Sequence, residues 1–538
     1  MKNNTVIYTK RLFIPYLLLS LVAGAFTGGM IFLFKLAVSA VTSLSSYIYT
    51  FPRENVVFLP LLVFGAALVG LLAAMILKFD PNCRGGGIPT AIAVIKGLVP
   101  FNWIKSVFLL FPSALLTYLC GVPLGTEGPS VQMGTAIGRG SVRIFAKKYP
   151  AWDRYIMTGG ACAGFAAATG APLTGIFFAF EEAHRRFSPM IFTVASMSVI
   201  SSTAVMQFLC SVSGVEYSLF GFTIENVLPL KFMWSALVVG VACGVCAVLC
   251  AKLYRALRKI LQKYLGRVPF ILKIITVFVA VSLIGCASHG FIGSGHSFVD
   301  ELIEGKGIWY MLIIYLCIRV ILILISNNIG VTGGLFVPTL ALGAIIGALC
   351  AKLMTMLGLL PEEYYVIIVV VGIASFLCAL SRIPLTAIIF SCEALCGLSN
   401  MLGVVVGVSV AYLVVESFGG LSFTDVVIES KAYDHHIGKS LSVVDTQLTV
   451  ANGSFVVGKE IRDLLLPPSC VILSVHKNFS TESRHGTALC AGDILHVHYQ
   501  TYDPAQTLQM LEELVGKQSS EPYADTHPGD ENDSVPEL

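Results

Sequence analysis

Three glycine-rich segments have the residue types and spacing to bind an anion through backbone groups. Each opens an apolar stretch, and they read GGGIP (85–89), GTEGP (125–129) and GGLFVP (333–338). Proline is accepted in the first turn of a helix, and glycine lets the backbone approach a ligand without a Cβ in the way. Helix N-termini expose unpaired N–H donors and the positive end of the helix dipole. Three converging ends predict an anion site, whereas one such segment alone is equally typical of helix packing.

Glu127, in the second segment, adds a carboxylate to this predicted site. A carboxylate at a helix N-terminus in an apolar stretch is costly unless it occupies the anion position itself. It would then compete with the anion when ionised and withdraw when protonated, which links anion passage to protons. The alternative is a structural ion pair, although no Lys or Arg lies nearby in the sequence.

The composition places these segments in a membrane. Of 538 residues, 56% are apolar and only 12% are charged, and the mean hydropathy is +0.81. Soluble domains carry about 25% charged residues, so a large soluble enzyme or a nucleic-acid binder is excluded. The net charge of +3 indicates no polyanionic partner. The first apolar segment, 12–41, is too long for a signal peptide and follows Lys2, Lys10 and Arg11, which favour a cytoplasmic N-terminus.

The apolar part of the chain is a duplication. Residues 171–178 (APLTGIFF) resemble 383–390 (IPLTAIIF), and Pro384 follows Pro172 by 212 residues. The Pro and Gly spacing of 129–138 recurs at 338–347, which lies 209 residues later. Two motif pairs at nearly the same separation indicate two repeats of about 200 residues. We expect the halves at about 10–215 and 225–430.

Several apolar segments are too short to cross a bilayer, which needs about 20 residues. Segments 85–98, 125–138 and 172–183 are interrupted by Gly or Pro and are predicted to be half-helices. Broken helices are tolerated where they line a cavity, and they mark binding sites in transporters. Residues 1–432 are therefore predicted to be an all-α polytopic membrane protein with two inverted repeats around a site at mid-membrane.

The composition changes near Tyr433. Residues 433–515 combine β-prone runs at 470–475 and 494–499 with a helical stretch at 507–514, which predicts a small cytosolic α+β domain. The acidic residues 516–538, rich in Ser, Pro and Gly, are predicted to be disordered.

The three glycine-rich motifs, in this order and at these separations, resemble the signature of CLC chloride channels and proton-coupled chloride antiporters. The segment FEEAH (180–184) also fits, and the resemblance covers about residues 10 to 430. It implies a homodimer in which each subunit holds its own pore between inverted repeats. It also implies a protein of the plasma or inner membrane, with both termini in the cytoplasm.

The resemblance implies roles for single residues. Glu127 matches the gating glutamate, and Glu182 matches the internal proton-transfer glutamate of the antiporters. The repeat supports the second assignment, because Glu181 has a counterpart at Glu393 whereas Glu182 aligns with Ala394. A carboxylate present in only one half suits one-sided proton access. The alternative is that Glu182 simply faces cytoplasmic water.

The remaining predicted anion ligands come from the same motifs. Backbone amides of Leu335 and Phe336 match the central anion site, and the family's inner-gate tyrosine aligns with Thr424. Gly86 stands where the family often has an anion-binding serine. Without the serine and tyrosine hydroxyls, chloride selectivity and tight inner gating are in question, and nitrate, bromide or fluoride stays an alternative anion, although the retained GLFVP segment favours chloride. The full set of predicted anion-binding residues is Gly86, Gly87, Ile88, Gly128, Leu335, Phe336 and Thr424.

The C-terminal domain has a weaker resemblance of its own. Residues 453–464, 471–475 and 491–495 resemble the TrkA-C module of potassium-conductance regulators. The resemblance implies regulatory sensing of an unidentified ligand, usually by a dimer. The alternative is a packing or dimerising appendage without a ligand.

These observations predict a secondary active anion/proton antiporter, with chloride and protons as its substrates. The alternative is a passive chloride channel gated by voltage or pH. A membrane enzyme is disfavoured, because Glu182 and His184 lie two residues apart and hence on different helix faces. No cofactor or metal is predicted, and the cysteines at 243, 246 and 250 lie in an apolar run typical of helix packing.

Overall fold

The computed structural model describes residues 2–222, 224, 226–305, 307–419, 421–436, 440–467, 469–477 and 488–516. The predicted disordered tail, 516–538, lies outside the described residues except for Gly516. The described helices are α1 (Lys2–Glu54), α2 (Leu59–Phe79), α3 (Gly87–Lys96), α4 (Trp103–Leu119), α5 (Glu127–Phe145), α6 (Asp153–Thr169), α7 (Pro172–Phe178), α8 (Pro189–Ser213), α9 (Met233–Leu265), α10 (Phe270–Ala287), α11 (His296–Ile303), α12 (Trp309–Ile329), α13 (Phe336–Met356), α14 (Tyr365–Ser381), α15 (Pro384–Ser391), α16 (Met401–Ser417), α17 (Phe423–His436) and α18 (Pro504–Val515).

Eight of the described helices are long and apolar enough to cross a membrane: α1, α2, α8, α9, α10, α12, α13 and α14. Their burial differs in a way that shows where the centre lies. The spanning parts of α13 and α14 are 78% buried, whereas that of α2 is 17% buried and exposes Leu61, Phe64 and Leu68. Because lipid is as apolar as these side chains, α2 lies at the lipid-facing periphery while α13 and α14 form the interior.

The two repeats pack in the same way. In the first half, a Cβ on Gly134 of α5 would lie 2.1 Å from the carbonyl oxygen of Gly160 in α6. In the second, a Cβ on Gly343 of α13 would lie 2.7 Å from the carbonyl oxygen of Gly372 in α14. Small residues let helix backbones approach closely in a membrane. Gly134 and Gly343 therefore serve helix packing. The helices as a whole confirm the predicted all-α fold class with broken helices.

Each repeat ends its half-helix in one π-helical turn, Ala179–Ala183 after α7 and Cys392–Cys396 after α15. The glutamates of these turns cap the helix of the opposite repeat. Glu181 accepts hydrogen bonds from the backbone N–H groups of Leu385 and Thr386 at 2.8 and 2.6 Å. Glu393 accepts from those of Leu173 and Thr174 at 2.8 and 2.9 Å. The two repeat-related glutamates therefore have an architectural role, since each joins one repeat to the other.

Helix α5 differs from its prediction as a half-helix over 125–138. It continues to Phe145, because its last turns are solvated and ion-paired. Arg139 and Arg143 both reach the carboxylate of Asp153, at 3.4 and 2.9 Å. The predicted half-helices at 85–98 and 172–183 are short as expected, since α3 has 10 residues and α7 has 7.

The C-terminal module contains an antiparallel sheet in the order β1-β3-β2, formed by β1 (Ser442–Thr449), β2 (Cys470–His476) and β3 (Ile494–Thr501). Its core joins the sheet to α18 through residues such as Val497, Tyr499 and Leu511. The boundary expected at Tyr433 falls inside α17, which continues to His436 before the first strand begins.

The module is docked on the membrane domain through the loop around Asp463. The Tyr155 hydroxyl donates to the Asp463 carbonyl at 2.6 Å and accepts from the Leu465 N–H at 3.0 Å. Arg154 donates to the Leu465 carbonyl at 2.6 Å, and Arg186 donates to that of Leu464 at 2.5 Å. The docking loop therefore contacts both α6 and the turn that follows Glu182.

Candidate anion and proton site

The glycine-rich segments meet in the interior. Gly125 and Gly334 form an antiparallel β-bridge, in which each N–H donates to the other's carbonyl at 2.7 and 2.6 Å. A Cβ on Gly128 would lie 2.6 Å from Cα of Gly334 and 2.9 Å from the backbone nitrogen of Gly87. Backbones this close leave no room for a side chain. The N-termini of α3, α5 and α13 therefore converge, as the motifs predict.

Buried hydroxyl groups hold this glycine junction in place. The Tyr118 hydroxyl donates to the carbonyl of Gly125 at 2.7 Å. Thr332, just before the third glycine segment, donates to the Cys83 carbonyl at 2.9 Å and shares a 2.6 Å hydrogen bond with Ser113. These bonds occupy carbonyl oxygens of the connecting loops, so the helix N–H groups remain the polar groups available to an anion.

Glu127 is the first residue of α5 and is only 1% exposed. Its Oε1 accepts a hydrogen bond from the Thr126 hydroxyl at 2.9 Å, while Oε2 is buried without a partner among the described residues. Oε2 lies 2.5 Å from where a Cβ on Gly125 would be, at the junction itself. No ion pair to Glu127 exists within the described residues, so the structural ion-pair interpretation is wrong.

Leu335 and Phe336 form the start of α13, with Leu335 as its N-cap residue. The Phe336 ring is 5% exposed and makes edge contacts with Phe165 and Phe390, at centroid distances of 5.0 and 5.1 Å. These partners come from α6 and α15, one from each repeat. The aromatic contacts fix the first turn of α13 and hence its backbone amides.

Glu182 is 9% exposed, and its Oε1 accepts a hydrogen bond from the Thr424 hydroxyl at 3.2 Å. It therefore does not simply face cytoplasmic water, and that alternative is wrong. The neighbouring Arg185 is ion-paired with Asp425 at 2.5 Å. Asp425 in turn accepts a 2.7 Å hydrogen bond from Ser422 at the start of α17. These bonds hold the turn that carries Glu182 against the first turn of α17.

The structure thus divides the residues predicted from sequence into two groups. One group lies at the glycine junction and comprises Gly86, Gly87, Ile88, Glu127, Gly128, Leu335 and Phe336. Thr424, predicted as an anion ligand, is instead seen bonded to Glu182. This contact joins residues 242 positions apart, and no motif indicated it.

Two polar residues near the junction have no counterpart in the sequence prediction. Asn327, at the end of α12, has a buried Nδ2 without a partner in the described part of the chain. Lys431, on α17, donates to the Arg84 carbonyl at 2.7 Å and to the Thr90 hydroxyl. Burial lowers the pKa of Lys431 to about 8. The signal for Asn327 was the polar run 326–328 that closes an apolar helix.

Within the described residues, no group of three or more His, Cys, Asp or Glu side chains could hold a metal ion. The fold is that of a polytopic membrane protein in which three helix N-termini and the buried carboxylate of Glu127 meet in the interior. The sequence profile of the family described as "Voltage gated chloride channel" matches residues 68–416. The chain belongs to this family.

Similar proteins agree with this assignment. The H(+)/Cl(−) exchange transporter ClcA of Yersinia pestis bv. Antiqua (strain Angola) is 28% identical over 370 residues, which are 67% of this chain and 76% of the relative. The ClcA protein of Yersinia pseudotuberculosis serotype O:3 (strain YPIII) is similar to the same extent.

Solved structures share the fold. A slow cyanobacterial Cl−/H+ antiporter superposes with a TM-score of 0.71 at 23% identity, covering 78% of this chain and 98% of that one. A CLC-type fluoride/proton antiporter gives a TM-score of 0.63 at 21% identity, covering 77% of this chain and 97% of that one. The predicted CLC-like architecture is confirmed by these similarities.

Proposed function

We propose that the protein is a secondary active antiporter that exchanges chloride for protons. The position of the Glu127 carboxylate carries this proposal, because it is buried at the junction of three helix N-termini and forms no ion pair within the described residues. Backbone N–H groups at such ends attract anions. When ionised, Glu127 occupies the anion position, and when protonated it leaves that position to chloride.

Glu182 supplies the second proton position. It is buried at the end of a half-helix, beside a turn whose Arg185 and Arg186 are joined to α17 and to the docking loop. Because Glu182 has no counterpart in the second repeat, it serves proton access from one side of the membrane only. The Thr424 hydroxyl orients the carboxylate, and protons reach Glu127 from Glu182 on the cytoplasmic side.

Chloride is the proposed anion. The ClcA relatives are H(+)/Cl(−) exchange transporters, and the GGLFVP segment is intact. The departures are at Gly86 and Thr424, where this chain lacks the family's serine and tyrosine hydroxyls. The anion is then held mainly by the backbone amides at Leu335 and Phe336, with Gly87, Ile88 and Gly128 bringing the other helix ends close.

We further propose where the transporter lies and how its domains are arranged: it is a protein of the cell membrane. We place residues 1–432 in the transport domain of a homodimer and 433–515 in a cytosolic regulatory module that senses an unidentified ligand. Both termini are then cytoplasmic. The docking of the module against α6 and the turn after Glu182 supports this orientation, since a soluble sheet domain must lie outside the bilayer.

The deciding experiment uses the purified full chain in liposomes with chloride and proton fluxes recorded together. An outward chloride gradient should drive protons uphill into the vesicles, and a proton gradient should drive chloride. Chloride flux without uphill proton movement would support the channel alternative. The short Thr424 side chain at the tyrosine position is the observation that favours that alternative.

A further inference from the structure

Helix α12 ends in a polar run, Ser326-Asn327-Asn328, in an otherwise apolar sequence. Asn327 is 5% exposed, and its Nδ2 has no hydrogen-bond partner within the described residues. In its neighbour Asn328, by contrast, Nδ2 donates to the Leu324 carbonyl at 2.9 Å, and the atom without a partner is the acceptor Oδ1. Burying an amide donor without a partner destabilises the folded protein. The Asn327 donor is therefore free to bind a ligand.

The unpartnered donor lies at the glycine junction. A Cβ on Gly86 would be 3.4 Å from Nδ2 of Asn327 and 3.6 Å from Cδ1 of Leu335. Gly86 and Leu335 are the N-cap residues of α3 and α13. The Asn327 amide thus adjoins the place where two of the three converging helices begin.

We infer that Nδ2 of Asn327 donates a hydrogen bond to the bound anion and is a further ligand that determines anion affinity. It supplies a side-chain donor next to Gly86, the position at which the chain has no hydroxyl of its own. An amide is neutral, so it stabilises the anion without the fixed charge that would trap it. Hydrogen bonds to ionised partners are about twice as strong as those between neutral groups.

The surrounding groups offer this donor no alternative. The Asn327 carbonyl is already bonded to the Gly330 N–H at 3.1 Å in the turn that ends α12. Lys431 is itself a donor, and its Nζ lies 3.9 Å from the Cβ position of Gly85. It offers the Asn327 amide no acceptor, and its positive charge attracts an anion to the same place.

The test measures chloride binding to the purified full chain at equilibrium, by calorimetry and by the rise in melting temperature between gluconate and chloride buffers. Asn327→Leu keeps the volume and removes the donors. It should weaken chloride binding about tenfold, which corresponds to about 1.4 kcal/mol, and reduce the chloride-dependent rise in melting temperature. Asn328→Leu is the matched control, since Nδ2 of Asn328 is already bonded to the Leu324 carbonyl, and this variant should bind chloride as the wild type does.

A second substitution distinguishes the loss of the Asn327 donor from a change in packing. Gly86→Ser in the Asn327→Leu background places a hydroxyl beside the vacated amide and should restore chloride binding to within a few-fold of wild type. If Asn327→Leu does not fold, Asn327→Ala, which is shorter and has no side-chain donor, takes its place. Unchanged chloride binding in a folded Asn327 variant, or an equal loss in Asn328→Leu, would overturn the inference.

The inference rests on the proposed function only for the identity of the anion. Chloride binding that depends on Asn327 in a protein that moves no protons uphill would support the ligand and refute the antiporter. Coupled transport with binding independent of Asn327 would refute the ligand alone.

Discussion

At the residue scale, the two buried glutamates have different surroundings, and we propose a different role for each. Glu127 lies among helix N-termini, where a negative charge and a chloride ion compete for the same donors. Glu182 is bonded to Thr424, and its neighbour Arg185 is neutralised by Asp425. The proposed function therefore assigns both ions to Glu127 and protons alone to Glu182.

Glu182→Gln should therefore reduce the proton flux at least tenfold. Its chloride affinity should stay within about twofold of wild type, which corresponds to a change of less than about 0.5 kcal/mol in the free energy of binding. The glutamine keeps the acceptor for Thr424 and cannot carry the proton. Proton flux in liposomes and chloride calorimetry check this together.

Glu181→Gln is the matched control, because this adjacent carboxylate caps α15. It should keep coupled transport and lower the free energy of unfolding by about 1 kcal/mol, since one acceptor is lost. If Glu181→Gln uncouples transport while Glu182→Gln does not, the two roles are exchanged.

The charge of Lys431, near the glycine junction, should make chloride binding depend on pH. Because burial lowers the pKa of Lys431 to about 8, its positive charge is present below pH 8 and is lost as the pH rises through that value. Chloride binding should weaken by a few-fold between pH 7 and pH 9, and Lys431→Met should reduce that difference. Lys352→Met is the control, since Lys352 lies 16 residues beyond Phe336 on α13. Equal pH profiles for wild type and Lys431→Met would contradict this role.

The sequence predicted the motif residues of the site but not the contacts that Thr424 and Asn327 make, and the difference has a physical reason. Glu127 and the glycines belong to short motifs whose chemistry is local, so spacing alone indicates the site. The bond from Thr424 to Glu182 and the approach of Asn327 to Gly86 join residues more than 200 positions apart. Such contacts exist only once both repeats have packed.

At the element scale, the site depends on how closely three backbones approach. Gly128→Ala would put a methyl group 2.6 Å from Cα of Gly334. Overpacking of this kind costs about 1–3 kcal/mol or more, and it should separate α5 from α13. We expect loss of chloride binding together with a lower melting temperature.

Gly29→Ala is the control for this substitution, because nothing lies within 4 Å of its Cβ position on α1. It should leave both chloride binding and melting temperature unchanged. Normal chloride binding by Gly128→Ala would show that the convergence of the helix ends does not hold the anion.

The elements themselves were predicted where the apolar pattern is strong. The half-helices α3 and α7, strands β2 and β3, and helix α18 lie where the sequence indicates them. Strand β1 was missed, because its sequence SVVDTQLT lacks a clear apolar alternation and is stabilised by its register with β3. The extension of α5 was missed because its stabilising partner, Asp153, belongs to the next helix.

At the scale of the whole molecule, the C-terminal module contacts the membrane domain through the loop around Asp463 and at further points. The Phe455 ring lies 5.3 Å from the Tyr155 ring, and Sδ of Met510 in α18 lies 3.1 Å from the Cβ position of Gly97. Truncation after His436 should leave chloride and proton fluxes in place, because the membrane helices bury their own surfaces. It should also lower thermal stability in detergent, since Arg154, Tyr155 and Arg186 lose partners. Complete loss of flux in truncated protein that remains folded would contradict this.

A milder variant tests the docking contact in the full chain. Tyr155→Phe removes the hydroxyl that makes two hydrogen bonds to the docking loop and should increase proteolysis of the module. Tyr149→Phe is the control, because Tyr149 is exposed and stacks on Trp152. Equal proteolysis of both variants would show that this loop does not hold the module.

We propose that one carboxylate, Glu127, serves both chloride and protons. The most direct measurement is chloride-driven proton uptake by Glu127→Gln in liposomes, with chloride flux recorded at the same time. Glutamine is neutral like the protonated acid, so proton uptake should disappear while chloride flux continues. Proton uptake that persists at the wild-type ratio to chloride would contradict the account.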